Sequence, residues 1–433
     1  MMQRIPDATL ERIKDATDIV ELVSDHVQLT KRGRSYFGIC PFHSEKTGSF
    51  SVNPVLQIYR CFGCGEGGNA FKFVQKIDGV SFVEAVSFLA QRSGIPLMLE
   101  RNTEAAQSND ELFRANEIAS KYFQHMLLSD ELGRHALQYL EGRGLPKDTI
   151  EELKIGFAPD SWDGLMGVLN RRGIPPPVVE RAGLAVKRQK GNGFYDRFRG
   201  RIAFPIANAT GRIVGFGARA LADDQEPKYL NSPETPIYRK SLILYGLSRS
   251  RGAIRDRDLA LVVEGYMDVA RLVQHGISNV VATSGTALTA EQCRLLSRYS
   301  RRVVLVFDGD SAGSTAAERG IEVLLGADLE ARVVCLPTGH DPDSIVRDEG
   351  ADRLNALVDS SLSVLDFYLD RLAARFDART VEGKAQVVIH LKPVIGRVND
   401  AVRRDLMLRE VASRLGVDER AIRAELPRDT RDS

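Results

Sequence analysis

The feature that most constrains this chain is a regular alternation of short apolar runs and helical segments between residue 259 and about residue 350. Each helical segment spans roughly 10 to 15 residues, which is long enough to cross over between two parallel strands. The apolar runs are LALVV, NVVAT, RVVLVF and ARVVCLP. This alternation predicts a parallel sheet with crossover helices, which belongs to the α/β class.

Acidic residues follow three of these runs. Glu264 comes after LALVV, Asp308 and Asp310 come after RVVLVF, and Asp341 and Asp343 come after ARVVCLP. The carboxyl ends of the strands lie on one edge of a doubly wound sheet, and ligands bind in the crevice there. We therefore expect these acids to meet in space, where clustered like charges either take up protons or bind a cation.

A hard divalent cation suits such a cluster, because Mg²⁺ prefers oxygen ligands and accepts one or two carboxylates together with substrate phosphates. In an extended segment, residues two apart face the same way, so that Asp308 and Asp310 can hold one ion together. Read alone, DGD is more typical of a turn with a helix-capping acid, because Ser311 opens a helical segment. The acids that follow the neighbouring runs favour the metal interpretation.

Two short-spaced pairs of metal-ligating residues lie in the N-terminal region. CPFH contains Cys40 and His43, CFGC contains Cys61 and Cys64, and about 17 residues separate the pairs. Thiolate and imidazole ligands suit one Zn²⁺, and four protein ligands leave no open position, so we predict a structural zinc site. The alternative is a coincidental spacing of small buried residues. The match of both pairs favours zinc.

Composition places the chain among ordinary globular proteins, since 43% of its 433 residues are hydrophobic and 27% are charged. No apolar run approaches the roughly 18 residues of a membrane span, and the N-terminus does not resemble a secretory signal. We therefore expect a cytoplasmic protein without a membrane partner. The net charge of +1 conceals basic stretches such as residues 187–201, which hold six basic residues and one acid, so a polyanionic partner is compatible with the sequence.

Several motifs resemble those of a known family. VVEGYMD, VFDGDSAG and HDPD are similar to the Toprim domain, which topoisomerases, certain nucleases and bacterial primases share. CPFH, CFGC, GRGL, DRFRGRIAFPI and KYLNSPET follow the order of the bacterial DnaG-type primases over nearly the whole chain. The resemblance implies a DNA-dependent RNA polymerase that makes short RNA primers on single-stranded DNA from ribonucleoside triphosphates during DNA replication. The reaction would be a metal-assisted nucleotidyl transfer.

The resemblance also implies roles for the acids. It makes Glu264, Asp308 and Asp310 the central catalytic residues, which hold between one and three Mg²⁺ or Mn²⁺ ions. It places three further acids close by, with the capacity for a second ion: Asp268, Asp341 and Asp343. Whether Glu264 is a metal ligand or a proton acceptor is left open by the sequence.

Basic residues are expected to hold phosphates. In DRFRGR, Arg197, Arg199 and Arg201 occupy alternating positions, and on a strand they would share one face. A row of guanidinium groups binds phosphates without preference for a base. The resemblance adds Arg143 of GRGL and Lys228 of KYLNSPET, and places them beside the active site. The alternative is a solvated charged strand face, and the division between template and nucleotide contacts stays open.

The expected architecture is an α/β multidomain protein. It has an N-terminal zinc-ribbon module, a mixed α/β subdomain, a Toprim parallel sheet with crossover helices and a C-terminal helical subdomain. The boundaries we predict are a zinc-binding domain at 1–100, a linker at 101–110, the N-terminal part of the RNA polymerase core at 111–258, the Toprim domain at 259–350 and the helical subdomain at 351–433. The polar linker predicts that the zinc domain moves independently.

Two other functions stay open at this point. One is another Toprim-type nuclease or phosphotransferase that acts on nucleic acid, and the other is a non-catalytic module that binds zinc and single-stranded DNA. The family also implies a replicative helicase as partner, but the chain ends at Ser433 after roughly 80 helical residues. We therefore expect the helicase-docking domain to be missing, in a truncated or unusually short form. A single-strand binding protein is a further expected partner, and the expected location is the nucleoid at the replication fork.

Overall fold

The chain divides into two compact units. The N-terminal unit comprises Met1–Ala115 and Ala209–Arg212, and the core unit comprises Asn116–Asn208 and Ile213–Ser433. The computed structural model describes residues 7–43, 45, 48–78, 80, 82–95, 104–222, 224–285, 287–308, 315–327, 329–398 and 400–425.

The N-terminal unit is built on a five-stranded antiparallel sheet in the order β1-β2-β3-β4-β5. Its strands are β1 (Thr30–Arg32), β2 (Ser35–Gly38), β3 (Phe50–Asn53), β4 (Ile58–Cys61) and β5 (Gly67–Gly68). Its helices are α1 (Asp7–Asp15), α2 (Ile19–Ser24), α3 (Ala70–Asp78) and α4 (Phe82–Arg92).

Alternation along β3 and β4 explains the core of this unit. Phe50 and Tyr59 point inward from the two strands, and their rings stack with centroids 5.3 Å apart. Phe73 of α3 closes the cluster with its ring edge toward Tyr59 at 5.4 Å. Successive strand residues face opposite sides of a sheet, so the residues between these positions are left toward solvent.

Helix α5 (Glu104–Leu128) begins inside the segment that we predicted as a linker. Residues 104–110 of that segment are helical, and residues 101–103 lie outside the described residues. Alanine, glutamine and glutamate favour a helix even where little can be buried, so a polar composition alone does not separate an irregular linker from a polar helix. The independent movement of the zinc domain stays a prediction.

The first half of the core unit carries a four-stranded antiparallel sheet in the order β11-β10-β9-β6. The helices here are α6 (Arg134–Gly142), α7 (Lys147–Glu152), α8 (Gly164–Arg171) and α9 (Pro176–Arg181). The strands are β6 (Gly156–Ala158), β7 (Ala185–Lys187), β8 (Phe194–Asp196), β9 (Arg201–Ala207), β10 (Ile213–Ala220) and β11 (Tyr229–Asn231), of which β7 and β8 form a separate hairpin.

The second half of the core unit contains the sheet that the alternating runs predict. Its order is β13-β12-β14-β15-β16; the first four strands are parallel and β16 is antiparallel to β15. The strands are β12 (Leu259–Val263), β13 (Val280–Ala282), β14 (Arg302–Phe307), β15 (Glu330–Cys335) and β16 (Leu362–Ser363). The helices are α10 (Leu247–Arg257), α11 (Tyr266–Gln274), α12 (Ala290–Leu296), α13 (Thr315–Leu325), α14 (Pro342–Glu349) and α15 (Ala351–Asp359). The predicted parallel sheet and fold class are confirmed.

Helices complete the core unit at its C-terminal end. They are α16 (Val364–Phe376), α17 (Val381–Ile395), α18 (Ala401–Leu415) and α19 (Glu419–Glu425). Val387 and Leu391 of α17 belong to the same buried cluster as Val333 of the parallel sheet, so these helices share its core. Across the described part of the chain, the structure contains no helix with the length and apolar character of a bilayer span.

A glycine lets α11 pack closely against the antiparallel sheet of the core unit. Tyr266, at the start of α11, is buried and stacks on Phe204 of β9, with ring centroids 5.2 Å apart. A Cβ atom at Gly217 of β10 would lie 2.1 Å from the Tyr266 ring. Gly217 belongs to the sequence GFGARA, and its role here is to leave room for an aromatic ring.

Candidate metal centres

The parallel sheet delivers its acids as the sequence predicts. Glu264 directly follows β12, and Asp308 directly follows β14, the neighbouring strand. Asp268 lies in the first turn of α11, and Asp341 is the N-cap of α14. Asp310 lies outside the described residues, so its predicted place beside Asp308 stays a prediction.

Asp268 interacts electrostatically with three of the other acids. Burial, the nearby charge of Asp308 and smaller contributions from Asp341 and Glu264 together raise the pKa of Asp268 from 3.8 to about 7. The backbone N–H of Gly265 opposes this effect by donating a hydrogen bond to Asp268 Oδ2 at 2.8 Å. Such a concentration of carboxylates fits a divalent cation, whose charge would relieve the repulsion.

Two of the four acids also fix the ends of helices. Asp268 closes the first turn of α11 through Gly265, and Asp341 Oδ1 accepts a hydrogen bond from the backbone N–H of Ser344 at 2.7 Å in α14. One oxygen of each carboxylate therefore accepts a hydrogen bond from the backbone. The helix ends consequently hold these side chains in fixed orientations.

Asp343 has a different environment from the other acids. Its Oδ1 atom pairs with the guanidinium group of Arg271, and both side chains are nearly enclosed, with 2% of Arg271 and 12% of Asp343 exposed. The structure thus brings Asp343 into a buried ion pair. Its expected contribution to a second cation site stays a prediction.

The arginines of DRFRGR do not share the face of one strand, and this local prediction is wrong. Strand β8 ends at Asp196, and β9 begins at Arg201. Gly200 between them has φ +61°, a left-handed conformation that turns the chain and that glycine adopts without strain. Alternating positions indicate a common face only where the backbone stays extended.

Each of these arginines has its own surroundings. Arg197 donates from Nη2 to the backbone carbonyl of Asn231 at 3.1 Å. The guanidinium of Arg199 lies 4.2 Å from the ring of Trp162, and buried Arg201 donates to the carbonyl of Pro227 at 2.7 Å. Arg199 is consequently the member whose charge is held on an aromatic surface.

Arg143 of the GRGL sequence is exposed, and its guanidinium lies 5.3 Å from the ring of Tyr139. The sequence reasoning missed Arg219 of β10, which lies 4.9 Å from the same ring and is 7% exposed. Both arginines and Asp268 affect the pKa of Tyr229. Burial raises this pKa, Arg219 lowers it, Asp268 raises it and Arg143 lowers it. Lys228, the residue before Tyr229, is exposed.

A second residue that the sequence reasoning missed is Asn231 at the end of β11. Its side chain donates to the carbonyl of Ser284 at 3.0 Å and accepts from the hydroxyl of Tyr266 at 2.7 Å. The backbone N–H of Ser284 in turn donates to the carbonyl of Glu264 at 3.1 Å. The backbone carbonyl of Asn231 accepts a hydrogen bond from Arg197. Asn231 therefore connects Arg197 to the edge of the parallel sheet that carries Glu264.

The N-terminal unit assembles the four predicted zinc ligands. One ligand atom from each of Cys40, His43, Cys61 and Cys64 lies within 4.8 Å of all the others. The sulfur atoms of Cys40 and Cys64 are 3.9 Å apart, and Nδ1 of His43 is 3.7 Å from the sulfur of Cys61. Three thiolates and one imidazole, which would fill all four positions of a tetrahedral ion, fit a structural Zn²⁺.

Backbone and side-chain groups around the four ligands support this assignment. The backbone N–H of Phe42 points to the sulfur of Cys40, and that of Cys64 points to the sulfur of Cys61, each at 3.4 Å. Nε2 of His43, opposite the ligating nitrogen, lies 3.4 Å from Oε2 of Glu45. A carboxylate behind a ligating histidine fixes the orientation and tautomer of its ring, and Glu45 has no signal in the spacing of the ligands.

Four family models match successive parts of the chain. They are described as the CHC2 zinc finger, at residues 5–105; the DNA primase catalytic core, N-terminal domain, at residues 122–251; Toprim-like, at residues 261–346; and the DnaB-helicase binding domain of primase, at residues 365–420. The last match overturns our expectation that the helicase-docking region is missing. The helicase-binding region consists of amphipathic helices without a distinctive motif, so it could not be recognised from the sequence pattern.

Individual proteins give the same result over longer stretches. A DNA primase of Halalkalibacterium halodurans is 41% identical over 431 residues, which cover 98% of this chain and 71% of the relative. The solved zinc-binding and RNA polymerase domains of the Aquifex aeolicus primase align with a TM-score of 0.64 at 33% identity, covering 96% of this chain and 98% of that one.

A further solved structure contains DNA. The RNA polymerase domain of the Mycobacterium tuberculosis primase DnaG, in complex with a double-stranded DNA oligomer that has a 6-nucleotide overhang, aligns with a TM-score of 0.58 at 33% identity. It covers 71% of this chain and 98% of that chain. With its zinc-ligand cluster and its converging carboxylates in the matching regions, the chain belongs to the bacterial DnaG-type DNA primases, the DNA-directed RNA polymerases that synthesise RNA primers for replication.

Proposed function

We propose that Glu264, Asp308 and Asp310 hold the divalent cations with which this chain joins ribonucleotides into primers on single-stranded DNA. The observation that carries the proposal is that Glu264 and Asp308 directly follow two neighbouring parallel strands. The pKa of Asp268, which burial and the charges of Asp308, Asp341 and Glu264 raise, agrees with a cluster of carboxylates there. Repulsion between carboxylates at the edge of a sheet is tolerated where the active protein binds a cation there.

The cation in this proposal is Mg²⁺, with Mn²⁺ as a substitute. The donors are carboxylate oxygens, which Mg²⁺ prefers, and substrate phosphates would complete its coordination. When bound, the ion would lower the pKa of the attacking 3′-hydroxyl and balance the charge on the reacting phosphates. Asp268 and Asp341 would contribute through carboxylates that the helix ends hold in place by backbone hydrogen bonds.

Basic side chains near the acids would hold the phosphates of template and nucleotides. Arg143 and Lys228 are exposed, and Arg199 is fixed over Trp162, so these three are the ones we assign to direct phosphate contact. Arg197 and Arg201 donate to the carbonyl groups of Asn231 and Pro227, so we assign them to holding β11 and the segment before it in place. Arg199 donates to the carbonyl of Asp196, three residues before it in its own motif. The arginines would bind phosphate without reading base sequence.

The zinc module and the C-terminal helices suggest the remaining partners of the chain. We propose that the zinc module holds one structural Zn²⁺ and presents the template through exposed groups such as Arg60, whose guanidinium lies 5.6 Å from the ring of the exposed Phe62. Residues 365–420 would bind the replicative helicase, so that synthesis takes place at the fork in the cytoplasm. A single-strand binding protein on the template would be a neighbour.

Primer synthesis in vitro tests the proposal. The chain is incubated with single-stranded template, the four ribonucleoside triphosphates and Mg²⁺, and RNA is measured for wild type, Asp308→Asn, Glu264→Gln and Asp310→Asn. Loss of several kcal/mol of transition-state stabilisation predicts a decrease of about 10³-fold or more. The exposed Asp352 supplies the matched control, Asp352→Asn, which should behave as wild type.

The outcome that contradicts this assignment is RNA synthesis by Asp308→Asn at the wild-type rate. Cleavage of DNA without synthesis would instead favour a Toprim-type nuclease. Thermal unfolding in increasing Mg²⁺ provides a second measurement. The wild type should be stabilised by the ion and Asp308→Asn much less so, because a ligand stabilises the state that binds it.

A further inference from the structure

A fully buried arginine lies beneath the acidic edge of the parallel sheet. Arg271, in α11, is 1% exposed and is among the largest fully buried side chains of the described residues. A buried guanidinium is strongly unfavourable unless its charge is paired and its N–H groups are bonded. The partners of Arg271 therefore show which parts of the fold it holds.

Three segments meet at this guanidinium. Nε donates to Asp343 of α14, and Nη1 donates both to the carbonyl of Gly144 and, at 2.9 Å, to the side chain of Gln274 in α11. Gly144 has φ +76°, and a Cβ atom there would lie 2.9 Å from Nη1. The GRGL sequence thus needs glycine at this position both for its backbone conformation and for the approach of Arg271.

Each of the three segments carries a group of the proposed active site. Asp268 lies three residues before Arg271, one turn earlier on α11. Asp341 lies two residues before Asp343, at the N-cap of α14, and Arg143 directly precedes Gly144. One rigid, planar group therefore sets the spacing between two of the converging carboxylates and an exposed arginine.

Two other titratable groups act on Asp343, and neither replaces Arg271. Burial lowers the pKa of His275, and the charge of Arg271 lowers it further, with an opposing contribution from Asp343. Arg347 of α14 also interacts electrostatically with Asp343, but it is exposed and pairs with Asp348, whereas Arg271 forms the buried ion pair with Asp343.

We propose that Arg271 is a positioning residue for nucleotidyl transfer, which acts by holding Asp343 and the Gly144 carbonyl so that Asp268, Asp341 and Arg143 keep their relative places. In this role Asp343 serves Arg271 rather than a cation. The inference rests on the proposed function, because it assigns the alignment of the same acids and the same phosphate-binding arginine.

A double-mutant cycle on the full chain tests this inference. The variants are Arg271→Met, Asp343→Asn, both together, and Arg271→Lys, with Arg294→Met as control because Arg294 is an exposed arginine paired with Glu291 on α12. For each variant we would measure kcat, the KM for nucleotide, the Mg²⁺ concentration at half-maximal rate, and the thermal unfolding midpoint.

We expect each single variant to lower kcat by about 10- to 100-fold, as a displacement of about 1 Å at an active site does. The double variant should be no slower than the worse single variant, because both residues act through one contact. Its unfolding midpoint should recover, since no buried charge is left without a partner. Arg271→Lys keeps the charge without the planar fork, and its kcat should lie between those of wild type and Arg271→Met.

Three results would overturn the inference. Multiplicative losses of kcat would mean that Asp343 acts on its own, as a cation ligand does. Recovery of kcat together with the unfolding midpoint in the double variant would mean that the pair only stabilises the fold. Values equal to those of Arg294→Met would mean that the pair has no role in synthesis. All three results are distinct from failure of the proposed function. The proposed function fails if Asp308→Asn synthesises RNA at the wild-type rate. If Arg271→Met does not fold, the double variant and Arg271→Lys carry the test.

Discussion

The side-chain amide of Asn231 donates a hydrogen bond to the backbone carbonyl of Ser284 at 3.0 Å. Ser284 follows β13 and has φ +60°, a left-handed conformation that is uncommon for a residue with a side chain. Its backbone N–H is bonded to the carbonyl of Glu264 at 3.1 Å. Asn231 therefore stabilises a strained residue directly beside the proposed metal ligand, and strain of this kind persists where the surroundings enforce it.

Replacement of Asn231 by alanine should disturb this edge of the sheet. The variant leaves the carbonyl of Ser284 and the hydroxyl of Tyr266 without their partner, and each such loss lowers the free energy of unfolding by about 1–3 kcal/mol. Primer synthesis should fall as well. The control is Tyr266→Phe, which removes one hydrogen bond of Asn231 and keeps the bond to Ser284. Urea denaturation and RNA yield measure the two effects, and equal RNA yields for Asn231→Ala and Tyr266→Phe would contradict this role.

Glu45→Gln should weaken the binding of zinc. The neutral amide lacks the charge that faces Nε2 of His43, and loss of such a supporting group lowers metal affinity by about 10- to 100-fold. Competition with a chromogenic chelator measures the affinity. Glu21→Gln, at an exposed residue that pairs with Arg92 in the same unit, supplies the control. An unchanged affinity in Glu45→Gln would show that the carboxylate does not support the histidine.

Asp196 should make the stability of the chain decrease as the pH rises through about 6. Burial raises the pKa of this carboxyl from 3.8 to about 6, although its oxygens accept hydrogen bonds from the N–H groups of Leu165 and Met166 at 2.7 and 3.0 Å. The folded state therefore binds the proton more tightly than the unfolded state. The stabilisation is fully present below pH 3.8 and is lost above about 6, with an upper limit of about 3 kcal/mol.

Unfolding free energies between pH 4 and pH 7 check this expectation. The wild type should lose stability relative to Asp196→Asn over this range, while Asp352→Asn, at an exposed residue, should follow the wild type. A difference between wild type and Asp196→Asn that stays constant with pH would contradict the raised pKa.

Gly217→Ala should destabilise the core unit. The added Cβ atom would lie 2.1 Å from the ring of Tyr266, and relief of such a clash by a shift of the ring lowers the free energy of unfolding by about 1–3 kcal/mol or more. The matched control is Gly167→Ala in α8, where a Cβ atom meets only the end of Arg171 at 3.6 Å. This control should gain about 0.5–1 kcal/mol, because alanine favours a helix over glycine. Thermal unfolding distinguishes the two variants, and a stable Gly217→Ala would disprove the close contact.

The sequence was sufficient for features that depend on local spacing. Apolar runs of five to seven residues separated by helical segments determine a parallel sheet, and this sheet brings Glu264 and Asp308 to one edge. The zinc ligands were found for the same reason, because each pair lies within four residues. In both cases the backbone geometry follows from the pattern itself.

Features that depend on contacts between distant segments were missed. Arg271 and Gly144 are 127 residues apart in sequence, and Asn231 and Ser284 are 53 apart, and nothing in the residues around them indicates these partners. The arginines of DRFRGR were placed on one face because the pattern of alternation hides the turn at Gly200. A buried arginine in a helix, such as Arg271, likewise cannot be distinguished from an exposed one in the sequence, because its burial depends on distant segments.

The close contact between Tyr266 and Gly217 also limits which segments of such an enzyme can be exchanged with those of a related protein. A graft that carried residues 259–350 into another scaffold would bring the tyrosine without the strand that receives its ring. Any host with a side chain at the receiving position would hold α11 away from the antiparallel sheet and shift Asp268 with it. The smallest transferable piece of this polymerase core therefore includes the antiparallel sheet together with α11 and its strand, and recombination that divides them should yield inactive chimaeras.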